Sequence, residues 1–357
     1  MSLRLEEIQY PVMSHPSADP WVNAKVARAA GLDVPDLSRG RILEIGCGTG
    51  HHILSVANRW PQAKCTGLDI SPSLISRARN LARQAGFRNV RLCENSITQF
   101  EPDEQYDCII AHGVFSWVED EVKLGLMDFL AKYLSPSGIA VVSFNVVAGW
   151  RERMPIVEKA KVIQAAGDVG VVDALELLKS VTEKESELEI IGDMLAKGGN
   201  VLAHDDFADV MDLWSLGAFV NLAKEKGLGW LGDSVNGDRG DDDRDKEEKK
   251  TFRSEILYRA DAVLGDPIVI LEDGAKEVVI PDFPRLDAWR LLCVREALPV
   301  VDAAMKPCVF TFPQLRVMAA MDGSLSVVRL AEHAAKCSPE LDFVPWLRHV
   351  AERGLLV

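Results

Sequence analysis

The sequence predicts an α/β protein: a doubly wound, Rossmann-like sheet, then a helical middle domain, then a C-terminal α+β module resembling a winged helix. Three observations predict it. Short β-branched runs alternate with amphipathic helical stretches from Arg41 to Asn145, the pattern of a parallel sheet wrapped by helices. A glycine turn, Gly46-Cys-Gly-Thr-Gly50, joins the first apolar run to the first helix of that pattern. Beyond Trp150 the alternation stops and helical periodicity continues without strands. The expected divisions are residues 1–150 with an N-terminal lid segment, residues 151–260 with a charged loop at 236–250, and residues 261–357.

Arg41 to Ile45 reads as the first strand, His51 to Arg59 as the helix after the turn, and Ala63 to Ile70 as the second strand. The next helix opens at Ser71, whose hydroxyl suits the free N–H groups of a first turn, and closes at Gly86. Val90–Asn95 and Tyr106–His112 read as the third and fourth strands. Glu119 to Leu134 reads as a helix stopped by Ser135-Pro-Ser-Gly138, with Ile139–Asn145 as the fifth strand. Further helices are expected from Pro155 through Lys197 and from Phe207 to Lys226. Asn236 to Lys250 is nearly all charge and so cannot bury apolar surface, which predicts a mobile loop. The last hundred residues give strands at Pro267–Leu271 and Glu277–Ile280, then short helices at Phe312–Met321, Val327–Lys336 and Pro345–Arg353. Between Pro307 and Val357 basic and acidic residues balance, so this module lacks the footprint of a DNA reader.

Ligands of such sheets bind outside the carboxyl ends of the strands, here the loops after Ile45, Asp69, Glu94, Ala111 and Phe144. Gly46, Gly48 and Gly50 remove side chains where the backbone bends and a ligand approaches. Asp69, ending the second strand, is placed to accept both hydroxyls of a ribose. A dinucleotide fold asks instead for G-x-G-x-x-G and an open helix N-terminus for pyrophosphate. Here the third glycine falls one residue early, His51 takes the expected slot, and the carboxylate of Glu44 would repel pyrophosphate. Glu44 suits a cationic ligand instead.

The strand Arg41–Ile45 with its turn resembles the class I S-adenosylmethionine-dependent methyltransferases, whose first motif reads E-x-G-x-G-x-G. Three more stretches narrow the resemblance: Tyr10-Pro-Val-Met-Ser-His-Pro16, Ala111-His-Gly-Val-Phe-Ser-Trp-Val118 and Ser143-Phe-Asn-Val-Val-Ala-Gly-Trp150. They look like bacterial methyltransferases with an appended regulatory domain, a family that includes protein lysine methyltransferases. Lys250 to Leu257 resembles the R-R-F-R-Q-T-L-L element of that domain.

The resemblance implies S-adenosylmethionine as cofactor, held by Tyr10, Glu44, Gly46, Cys47, Gly48, Gly50, Asp69, Ile70, Ser96, Ile97 and His112. It implies His112 and Asn145 as catalytic candidates, and Tyr10 with His15 as a lid. His112 has two readings, a base that takes the acceptor's proton and a ring that shapes the cofactor pocket. Trp117 and Trp150 read either as walls of an acceptor channel or as core. Ser96 stands where the family places an aspartate toward adenine, and Phe144 and Ala148 replace its tyrosine and proline. The implied acceptor is a protein lysine or a small amine or hydroxyl compound. The alternative function is a non-catalytic, cofactor-sensing interaction module.

A net charge of −14 opposes binding to a nucleic-acid backbone, and the [DN]-P-P-[YFW] motif of nucleic-acid methyltransferases is missing from the sequence. No apolar run reaches membrane-spanning length, and no signal peptide is recognisable, so a cytoplasmic location is expected. The seven cysteines, without C-x-x-C spacing, read as reduced and buried, and no metal is suggested.

Overall fold

The computed structural model describes residues 15–208 and 210–265, and beyond them 300–301, 307–308, 314, 317, 331–332, 334–336, 339 and 341–352. Tyr10 and the strands expected at 267–271 and 277–280 lie outside the described residues, as does most of the C-terminal module. Its expected third helix is present as Phe343–Glu352.

The expected alternation is realised as β1 (Arg41–Ile45), α2 (His51–Arg59), β2 (Lys64–Asp69), α3 (Pro72–Gln84), β3 (Val90–Glu94) and β4 (Tyr106–Ala111). It continues with α4 (Asp120–Tyr133) and β5 (Leu134–Val146). A preceding helix, α1 (Pro20–Ala29), starts where Asp19 accepts the Trp21 N–H at 2.8 Å and proline occupies the first helical position. At α3 the expected cap holds, with Ser71 Oγ accepting from the Leu74 N–H at 3.3 Å.

The sheet order is β3-β2-β1-β4-β5, all parallel, extended by β8 (Phe252–Arg259) and β7 (Leu228–Asp233), both antiparallel to their neighbours. The order reverses at β1, between β2 and β4, which opens the crevice where ligands of such sheets sit. One core, with Ile53, Leu54, Ile75 and Ala78, lies under α1–α3. The other, with Leu126, Leu130, Phe144 and Phe219, lies under α4 and α10 (Leu216–Glu225). The central strands β1, β4 and most of β5 are buried on both faces, so they read as largely apolar runs.

Three expectations need correction. The fifth strand begins at Leu134, not Ile139, and Ser135-Pro-Ser-Gly138 lies within it. Leu134 pairs with Tyr106, the register shifts before Cys108, and Ser135 Oγ donates to Asp107 at 2.9 Å. A side chain at Gly138 would lie 3.0 Å from the Tyr106 carbonyl, so the close crossing requires glycine there and punctuates no turn.

The second concerns 151–260, read as one helical unit. The chain leaves the sheet at Val146 and passes α5 (Val147–Trp150), α6 (Met154–Gly167), α7 (Val171–Val181), α8 (Glu185–Ala196) and α9 (Gly199–Asp205). It returns at β6 (Leu213–Trp214), which pairs with Asn145 and Val146, and β7 and β8 then complete the sheet. The helices pack around their own core of Ile156, Val157, Leu175, Ile191 and Met194. Both ends of this excursion are therefore tied to the carboxyl end of β5.

The third is the charged segment. Residues 236–250 contain a helix, α11 (Asp242–Glu247), whose Asp245 is 1% exposed. Arg253 on β8 explains the order. Its buried guanidinium is held by Asp245 at 2.6 and 2.7 Å and by Glu255 at 2.7 Å, and Glu255 also accepts from the Trp230 indole at 2.7 Å. One charge of the segment, Asp245, is thus buried in an ionic network that anchors it, while Asp243, Arg244, Lys246 and Glu248 remain exposed. The next residues, Lys250 and Thr251, accept hydrogen bonds from Gly149 and Val146, so this segment borders the loop after β5.

Candidate active site

The glycine turn has the geometry its composition predicts. Gly46, Gly48 and Gly50 have φ of 70°, 52° and 80°, a left-handed region costly for other residues. A Cβ on Gly46 would also lie 2.5 Å from Val114 Cγ2, whereas one on Gly48 meets no atom within 4 Å. The turn is thus packed beneath Gly46 and open above Gly48. Asp69 fixes it from the next strand: Oδ2 accepts the Gly48 N–H at 2.8 Å and Oδ1 the Ser71 N–H at 2.9 Å. This bracing role was not visible in sequence; the remaining lone pairs of both oxygens stay available to hydroxyl groups.

Glu44 is 6% exposed, and burial, countered by the Ile53 N–H and reinforced by Asp69, raises its carboxyl to about 8. Cys47 points into the core, where burial, Glu44 and Asp69 raise its thiol well above the ordinary range; it is a packing group, not a nucleophile. Ile70, by contrast, is exposed beside Asp69. After β3, the Ser96 hydroxyl lies 2.9 Å from that of Thr98 and receives the Thr98 N–H at 3.4 Å, capping a turn in which Ile97 is buried.

The loops after β4 and β5 are fastened to each other. Gly113 N–H donates to Ser143 Oγ, and Asn145 N–H to Ser116 Oγ, both at 2.8 Å. Asp212, just before β6, adds an N–H to the Ser116 carbonyl. The His112 ring lies 4.0 Å from the His15 ring and 5.5 Å edge-on from Phe252. His15 in turn donates its backbone N–H to His52 Nδ1 at 3.2 Å, while His52 Nε2 meets the Ala18 carbonyl at 3.1 Å. That pair of contacts fixes His52 as the neutral Nε2–H tautomer. The described start of the N-terminal segment therefore reaches the carboxyl end of β4. Burial above all, with neighbouring rings adding, lowers His15 to about 3 and His112 well below the ordinary value. Trp150 is core: it is 4% exposed and its indole donates to the Thr251 carbonyl at 3.0 Å. Trp117 is half-buried.

Among the described residues, buried side-chain polar atoms without a hydrogen-bond partner include Glu44 Oε2, His112 Nδ1, Trp117 Nε1 and Asn145 Nδ2. Native interiors rarely leave such atoms unmatched. These four belong to β1, the loop after β4 and the end of β5, the strand ends bordering the crevice. An unmatched buried carboxyl oxygen next to an open glycine turn fits a cationic amino group, and the acid at Asp69 fits ribose hydroxyls. The donor set suits S-adenosylmethionine.

The fold and these groups are similar to those of the class I S-adenosylmethionine-dependent methyltransferases. Residues 36–205 match the family model described as "Methyltransferase domain". An uncharacterized protein of Rickettsia prowazekii is 35% identical over 156 residues, 43% of this chain and 62% of its own length. The malonyl-[acyl-carrier protein] O-methyltransferase of Acetivibrio thermocellus is 33% identical over 112 residues, 31% of this chain and 38% of its own. The chain thus spans less than two thirds of the length of these curated relatives. PKMT2 from Rickettsia typhi, solved in complex with AdoHcy, shares the fold at a TM-score of 0.65 with 20% identity, covering 98% of this chain and 77% of that one. No helix among the described residues is long and apolar enough to cross a membrane.

Proposed function

We propose that this chain transfers a methyl group from S-adenosylmethionine to a lysine side chain of a protein. The observation that carries the cofactor half is the buried carboxyl of Glu44, with Oε2 unmatched, beside the glycine turn braced by Asp69. The acceptor half rests on the likeness to methyltransferases that include protein lysine methyltransferases, and on the helices inserted at the carboxyl end of β5, where an acceptor would enter. In this reading Gly46, Gly48 and Gly50 let the cofactor lie against the backbone, Cys47 packs beneath it, and Asp69 holds the ribose. Ile70 covers one adenine face, while Ser96 and Ile97 border the other side of the ring. His15 borders the crevice through its ring contact with His112.

When bound, S-adenosylmethionine supplies an electrophilic sulfonium methyl group. The chain's own contribution is to place a neutral amine in line with it and keep water away. Asn145, whose side-chain amide has an unmatched N–H, orients the acceptor. His112 acts as a neutral ring that positions its neighbours, because burial and the His15 and His52 rings disfavour an imidazolium; the amine's proton leaves through water. The test is transfer of labelled methyl from S-adenosylmethionine to a lysine-bearing protein, with hydrolysis of the product. Recovery of Nε-methyl-lysine supports the reading, and label released by mild base as a methyl ester contradicts the acceptor assignment.

Glu44 makes the cofactor site pH-dependent. Its carboxyl, raised to about 8, is protonated at neutral pH in the free protein, but a carboxylate is required opposite an ammonium. Cofactor binding below pH 8 should therefore release a proton, and affinity should rise with pH toward 8. For the free protein the sign is opposite. The stability contributed by the protonated carboxyl is full below about pH 4.5 and is lost as pH rises through 8. Calorimetry in buffers of different ionisation enthalpy measures the released proton; in Glu44→Gln the component not due to the ligand's own amine should vanish. An equal release in both proteins would exclude Glu44 from the site.

Ser96→Asp should tighten cofactor binding by about 1 kcal/mol, because a carboxylate keeps the cap on Thr98 and adds charge to the bond with the adenine amino group. Weaker binding in the variant would place Ser96 away from the ring.

A further inference from the structure

Between Ser71 and Cys93 the chain carries Arg77, Arg79, Arg83, Arg88 and Arg91 and no acidic residue, although the whole protein has a net charge of −14. All five are exposed, on α3, the turn after it and β3, the outermost strand of the sheet. None takes part in an ion pair among the described residues. Arg79, Arg83 and Arg88 line one shallow cleft of about 450 Å3, floored by Ala82, Phe87 and Leu92. The cleft is partly pre-organised: Arg79 reaches from α3 to the Leu92 carbonyl at 2.8 and 3.2 Å, and Arg83 is held by Asn80 at 2.7 Å. Gly86, at φ 76°, leaves the rim open, with no atom within 4 Å of a built Cβ. The turn of Gly86 to Asn89 precedes β3, so the cleft lies toward its amino end, away from the cofactor crevice.

Three guanidiniums around one cleft repel each other without a counter-charge, and their forked donors match carboxylates in pairs. We propose that this edge is a docking surface for an aspartate- and glutamate-rich segment of a protein partner. The cleft is short, which suits a few acidic side chains, and the strongly acidic chain around it opposes an extended nucleic-acid backbone. The apolar floor at Phe87 accommodates the stems of those side chains. This docking is independent of the methyl-transfer reading, since the hydrogen bonds of Arg79 and Arg83 run to Leu92 and Asn80 and not to the glycine turn.

The test is fluorescence anisotropy of a labelled hexaglutamate peptide with the full chain. Saturable binding is expected, weakening as salt is raised, and weakening at least about tenfold in the double variant Arg83→Glu/Arg88→Glu. Both side chains are exposed, so the fold should survive, and calorimetry should show unchanged S-adenosylmethionine affinity in the variant. Three results would overturn the proposal: no binding to the wild type, equal binding to the variant, or tighter binding of a labelled six-nucleotide oligothymidine through the same arginines.

Discussion

Asp245→Ala should destabilise the protein by about 3 to 5 kcal/mol, the cost of removing one partner from a buried ion pair. The Arg253 side chain is 2% exposed and its two Asp245 contacts are 2.6 and 2.7 Å, so the substitution strands a guanidinium that water cannot reach. Glu255 alone remains to hold it, and its carboxyl is itself pushed up by burial. Arg253→Met should cost as much or more, since it leaves two buried carboxyl groups without their cation. Lys246→Ala, removing an exposed pair with Asp243, should change stability little. Urea melts of the three variants rank them. A loss under about 1 kcal/mol for Asp245→Ala would mean that 236–250 stands apart from the fold, as its charge suggests.

Asp69→Ala should weaken S-adenosylmethionine binding by about 1.5 to 3 kcal/mol, the range for hydrogen bonds to a charged group. Two losses combine. The ribose hydroxyls lose their acceptor, and the Gly48 and Ser71 N–H groups lose the bonds that brace the turn. Asp69→Asn separates them, because its amide oxygen keeps one acceptor without the charge; its cost should be intermediate. Unchanged affinity in both variants would remove Asp69 from the site.

Much of the sheet was legible because its information is local. The run Ile42-Leu-Glu-Ile45 is apolar because both faces of β1 are covered, and Glu44 stands out there because a lone acid in such a strand needs a ligand or a proton. The glycines, Asp69 and the Ser71 cap were legible for the same reason. β8 was not. Its Arg253 and Glu255 look solvated until Asp245 closes on them, and the residues that bury them are brought in by pairing with β5. The opening of β5 hid behind Pro136 and Gly138, which usually end elements and here permit a tight crossing. The site's long-range contacts left no trace in one sequence: His15 over His112, and Phe252 against the same ring, join segments separated by nearly a hundred residues or more.

The central claim is that the crevice holds a cationic, phosphate-free nucleoside, and competing titrations test it most directly. S-Adenosylmethionine should bind the chain with one-to-one stoichiometry, and NAD should neither bind nor compete. Binding of NAD, or no heat with S-adenosylmethionine at pH 8 where Glu44 can ionise, would contradict the account.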